Sequence, residues 1–176
     1  LFGDVVPRTV LNFKLLCSNS GVSADSSIGY RNSEFFRVIT GFSVQAGNIS
    51  PQTDVPPSAK GRYGKAAIPY SDLFNNPTAE GFPVENYRIL HSFRDAGVVS
   101  MMKELRPISG GGKEWLQDSR FFVTLRPWAA WADQRYSAFG RVTRGLEVLE
   151  TMQLLPVQPP ANYPLMPVRI VDSGCY

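Results

Sequence analysis

Arg37 and Gln45 stand out in the stretch SEFFRVITGFSVQAG, Ser33 to Gly47. One carries a guanidinium, a planar fork of hydrogen-bond donors; the other carries a carboxamide, donor and acceptor at once. Both lie in short apolar runs, EFFRVI and FSVQAG, separated by a Thr40-Gly41 break. In extended chains side chains alternate, so Phe35, Arg37 and Ile39 share one face and Phe36 and Val38 the other. Phe42, Val44 and Ala46 likewise oppose Ser43 and Gln45. A guanidinium on an apolar face is costly unless it is paired or wetted. Two placements meet that condition: an exposed edge strand, or a wet cleft where the guanidinium and the amide both meet a ligand.

The elements that must position these residues are short. DVVPRTVLNFKLLCSNSG reads as a helix, with Pro7 at the first helical position, where a missing N–H costs nothing. Val10, Phe13 and Cys17 recur at helical spacing, as do Leu11 and Leu15, and SNSG stops the run. ENYRILHS, GVVSMM and SRFFVTL are strand-like. AFGRV leads into a second helix, TRGLEVLETMQLL, on which Leu146, Leu149 and Met152 define one face. VRIVDSG closes the chain as a strand. The segments 51–81 and 103–119 read as loops, the second from its Pro107 and three consecutive glycines. At least six short strands linked mostly by loops argue against βαβ winding and for a β-barrel with a helix at each end.

Composition narrows the classes. The 176 residues suit one domain, and 43% hydrophobic with 19% charged residues is ordinary for a globular chain. The net charge of +3 comes from basic residues scattered singly or in pairs, which excludes a nucleic-acid footprint. No apolar run approaches the roughly 18–20 residues of a membrane span. The start of the chain shows no signal or transit pattern. Cys17 and Cys175 lack metal-type spacing, and a disulfide between them would require the two ends to meet in space.

Taken in order, the motifs resemble the cyclophilin family of peptidyl-prolyl isomerases. FFRVITGFSVQAG is similar to that family's F-H-R-V-I-P-G-F-x-x-Q-G-G, GVVSM to G-I-L-S-M, and SRFFVTL to S-Q-F-F-I-C-T. WADQRYSAFGRVTRGLEVLETM resembles W-L-D-G-K-H-V-V-F-G-K-V-x-x-G-M-x-V-V; LFGDVVPRTVLNFKLLC resembles the first helix, and VRIVDSGCY the last strand. The resemblance implies an all-β fold, an eight-stranded antiparallel barrel capped by two α-helices. It also implies an outer groove that binds proline-containing peptides, with no cofactor and no metal. One full strand and most of a second in the family pattern precede Leu1, so a longer native chain, or pairing from another chain, is expected. LFGDVVPRTVLNFKLLC and AGVVSM are similar to divergent plastid members, which points to a thylakoid lumen.

Carried over position by position, Arg37 falls on the family's catalytic arginine and Gln45 on the glutamine that orients it and contacts substrate. Phe42 and Phe122 match walls of the proline pocket and Trp131 its rim. Met102, Lys103 and Tyr136 fall where substrate backbone and groove mouth are formed, in place of Ala, Asn and His. Ser43 replaces a pocket Met and Ala132 a Leu, which implies a wider, less apolar pocket and weaker binding of cyclosporin-type macrocycles. Phe36 replaces a His on the face away from the groove, and Arg120 replaces a Gln. The leading expectation is an isomerase or folding helper. The alternative is a cyclophilin-like structural subunit docked in a larger complex through 51–81 and 103–119, with Trp115 as the anchor.

Overall fold

The computed structural model describes residues 1–18, 29–49, 82–83, 85, 95–107, 111–133 and 135–176. The expected loop over 51–81 and nearly all of the ENYRILHS strand lie outside the described residues.

Helix α1 spans Pro7–Cys17, with Pro7 opening it as its position required. Val6 precedes it and offers no side-chain cap. The orphan amides of the first turn are met from far along the chain instead. Glu85 accepts hydrogen bonds from the Arg8 N–H at 3.2 Å, the Thr9 N–H at 2.8 Å and the Thr9 hydroxyl at 2.9 Å. A carboxylate at this end also complements the helix dipole. Val10 and Leu16 are buried and Phe13 and Cys17 pack against the core, whereas Leu11 is exposed. The second apolar stripe expected on this helix therefore fails: only one face can meet the sheet. Because Glu85 stands in for the missing cap, Glu85→Ala should cost about 1–2 kcal/mol, the scale of a lost N-cap. A urea titration would register it as a lower midpoint at unchanged slope; an unshifted midpoint would show that the turn is held otherwise.

The strands are β1 (Arg37–Ile39), β2 (Ser43–Ala46), β3 (Phe82–Pro83), β4 (Val98–Pro107), β5 (Lys113–Thr124), β6 (Ala138–Arg141), β7 (Val157–Gln158) and β8 (Tyr163–Pro164). Helix α2, Leu146–Met152, follows β6. One antiparallel sheet runs β1-β2-β5-β4-β6, with β3 also on β5, and β7 pairs with β8 in a separate ribbon. Among the described residues the fold is thus mainly antiparallel β with two helices, as the sequence implied. Among the described residues, no helix is long and apolar enough to cross a membrane.

Register explains the core. Val38, Val44, Val123 and Val99 are successive cross-strand partners, so their side chains share one face. All four are buried on the side that α1 covers. Phe13, Tyr30, Phe121 and Phe139 fill the same core with ring centroids 4.7–5.4 Å apart. The end of β2 is pinned at Gly47, whose φ is +86° and where a Cβ would stand 2.5 Å from the Ser119 carbonyl oxygen. Only glycine fits so close an approach.

Two sequence expectations are corrected. The described residues of 103–119 are mostly strand rather than loop: β4 and β5 pair from Lys103↔Gln117 to Pro107↔Lys113, making a long hairpin. Pairing ends at Pro107↔Lys113, and Gly111 and Gly112, just before β5, adopt φ +83° and +132°. VRIVDSG does not form a full strand either. Phe35 N–H donates to Val168 O at 2.9 Å and Asn32 N–H to Ile170 O at 2.7 Å, but a single bridge, Glu34↔Arg169, qualifies as sheet. Asn32 sits at φ +66°, which ends the extended run of its partner segment.

The chain ends do approach each other. The Cys175 thiol donates to the Lys14 carbonyl at 3.3 Å, at the last turn of α1. Burial, with a smaller contribution from Cys175, pushes the Cys17 thiol up to about 12. Both cysteines are free.

Candidate functional site

The second row of cross-strand partners is Arg37↔Gln45, Gln45↔Phe122 and Phe122↔Ser100. It is offset by one residue from the valine row, so these side chains occupy the opposite face. The period of two thus places the guanidinium, the amide and an aromatic ring side by side. Gln45 and Phe122 are buried, and Arg37 is half-buried. Arg37 Nε and Gln45 Oε1 are buried atoms with no hydrogen-bond partner among the described residues. Unmade hydrogen bonds of that kind are costly and uncommon in native proteins.

Beside this row lies an aromatic cluster. Phe42, in the turn before β2, stacks on Trp131 with centroids 4.2 Å apart and planes 20° from parallel. Phe122 lies 5.4 Å from Trp131 and meets Tyr136 edge-on at 5.2 Å. Trp131 and Tyr136 meet edge-on at 5.8 Å. Met102 packs against the same group, together with buried Val98, Ala129, Ala132 and Ala138. Lys103 Nζ sits 5.3 Å from the Tyr136 ring. All eight residues expected from the sequence therefore converge on one face of the sheet and its rim, drawn from β1, the turn before β2, β2, β4, β5 and the residues between β5 and β6.

The two small side chains expected to widen the pocket sit deep in this face. Ser43 and Ala132 are both 0% exposed. Ala132 belongs to the buried cluster on which Trp131 packs. Ser43 Oγ is a further buried atom without a partner among the described residues.

Sequence reasoning missed how the rim is braced. Between Met101↔Phe121 and Lys103↔Gln117 the register slips, leaving Asp118, Ser119 and Arg120 opposite Met102. Asp118 and Arg120, only 3% and 5% exposed, close this bulge. The Asp118 carboxylate accepts from the Arg120 amide at 2.8 Å and from its guanidinium at 2.6–3.0 Å. Glu104 accepts a further bond from Arg120 at 3.1 Å. Burial acts to lower the Arg120 pKa, but the bonds and charge of Asp118 and Glu104 outweigh it, so the net direction is up. The opposite charges at 118 and 120 were the available signal: a strand places them on one face.

A family model described as cyclophilin type peptidyl-prolyl cis-trans isomerase/CLD matches residues 1–175. The chain belongs to the cyclophilin family. It is 34% identical over 174 residues to peptidyl-prolyl cis-trans isomerase H of Mycosarcoma maydis, covering 99% of this chain and 93% of that protein. It is 31% identical over 176 residues to the protein named probable inactive peptidyl-prolyl cis-trans isomerase-like 6 of Homo sapiens, covering 99% of this chain. This cyclophilin chain spans about half the length of that human relative, 47%. Similarity at 29% identity also extends to the NK-tumor recognition protein of Mus musculus, of which the chain covers 10%. Its relatives thus include one named as an isomerase and one named as inactive.

Proposed function

We propose that this cyclophilin catalyses cis-trans isomerisation of X–Pro bonds and so assists protein folding, with Arg37 as the catalytic donor. The supporting observation is that Arg37 Nε and Gln45 Oε1, on directly paired residues beside an aromatic cluster, have no hydrogen-bond partner among the described residues. An X–Pro bond rotates over a barrier of roughly 20 kcal/mol because amide resonance must be broken. At the top of that barrier the prolyl nitrogen turns pyramidal and its lone pair localises. A donor aimed at that lone pair stabilises the transition state more than either ground state, which is the condition for catalysis. Arg37 supplies the donor; Gln45 accepts from the guanidinium or holds the substrate backbone. Phe42, Phe122 and Trp131 take the proline ring, and Met102, Lys103 and Tyr136 border the peptide. No covalent intermediate is needed.

A second reading has its own observation. The face of Phe42 that stacks on Trp131 is not available to a proline ring, and a relative is named as inactive. On this reading the domain is a structural subunit of a larger complex. Turnover decides between them. The purified protein should speed exchange between cis and trans forms of a proline peptide, read by magnetisation-transfer NMR; exchange at the uncatalysed rate would favour the structural role.

Cyclosporin-type macrocycles should bind weakly, because Ser43 and Ala132 offer less apolar surface than Met and Leu. Each lost side-chain contact costs about 1–3 kcal/mol on the scale of full burial. Calorimetry against a cyclophilin carrying Met and Leu there should show affinity at least tenfold lower, the equivalent of about 1.4 kcal/mol; equal affinity would refute the comparison.

A further inference from the structure

Trp115 and Leu105 are 48% and 44% exposed. They are cross-strand partners in the β4–β5 hairpin, so their side chains lie on one face of it. Lys103 Nζ lies 4.5 Å from the Trp115 ring while also lying 5.3 Å from the Tyr136 ring. Tyr136 in turn meets Phe122 at 5.2 Å. The contacts Phe122–Tyr136–Lys103–Trp115 form an unbroken line from the aromatic cluster out along the hairpin. At about 3.3 Å per residue, an extended peptide covers that line in roughly four residues.

We propose that the hairpin lengthens the proline-binding groove, with Trp115 and Leu105 forming a subsite for a large apolar residue about four positions from the proline of an extended client segment. The proposal rests on the proline-binding reading of the cluster and adds a length and sequence preference to it. An exposed indole beside an aliphatic side chain is the kind of surface that anchors a partner when covered. Continuity with the aromatic cluster selects the occupant, because a segment already held at its proline passes this face. Lys113, exposed and two residues from Trp115 on the same strand face, adds a preference for an acidic neighbour of the apolar residue.

Affinity of the purified protein for two peptides tests this independently of turnover. One is a four-residue proline peptide; the other has a central proline with a Phe-Asp pair beginning about four residues to either side. The long peptide should bind about tenfold tighter, and Trp115→Ala should abolish that advantage while leaving the short peptide's affinity unchanged. Trp115→Phe should restore much of it. Equal binding of the two peptides, or an advantage that survives Trp115→Ala, would overturn the subsite. So would a variant that changes only the protein's oligomeric size or complex, which would make the hairpin an assembly contact. Failure of the short peptide alone counts against the proline pocket; the subsite then stands or falls on the response of the long peptide to Trp115→Ala.

Discussion

Arg37→Ala is expected to cut turnover of a proline peptide about 10²-fold, the scale of losing one preorganised donor. Arg37 lies on the three-residue strand β1, and its Nε has no partner among the described residues. Truncating it should therefore leave the sheet intact, and removing a half-buried charge even relieves a desolvation cost. The loss should fall on kcat rather than on peptide affinity, because the bond to a pyramidal nitrogen exists only near the transition state. Arg37→Lys should recover little: an ammonium keeps the charge but not the fixed fork. Turnover within twofold of the unmodified protein, with both variants folded by circular dichroism, would remove Arg37 from the mechanism.

Asp118→Ala should be the most damaging change to stability among the residues that shape the site. It removes the buried carboxylate that holds the Arg120 guanidinium, 5% exposed, while the bond to Glu104 is kept from a side chain that is 54% exposed. Breaking a buried ion pair by removing one partner costs about 3–5 kcal/mol, because a desolvated charge is left behind. Glu104→Ala should cost under about 1 kcal/mol, as expected for a pair with one end in water. Replacing both Asp118 and Arg120 by apolar residues of similar size should recover most of the loss. Chemical denaturation of the four proteins tests the set; a single-variant loss no larger than that of Glu104→Ala would mean the pair is not what holds the bulge. The bulge also lies opposite Met102 in β4, so the destabilised variant should bind proline peptides less well even where it remains folded.

The alternation of residues in EFFRVI and FSVQAG determined, without any structure, that Arg37 and Gln45 lie off the valine face. Period-two geometry is local, and it survives whatever the rest of the chain does. Pro7 likewise fixed the start of α1, and the ordered motifs carried the family and the convergence of Phe42, Phe122, Trp131 and Tyr136. Tertiary structure decided what depends on partners distant in sequence. The run ELRPISGGGKEW reads as a loop because glycine and proline weaken local preference; it is a hairpin because β4 and β5 satisfy each other's backbone groups. Glu85 caps a helix some eighty residues away, which no capping pattern beside Pro7 could announce. Ser43 and Ala132 suggested an open wall from their size alone. Whether a small side chain leaves a hole depends on what packs around it, and both prove to be fully buried, Ala132 in a cluster assembled from residues distant in sequence.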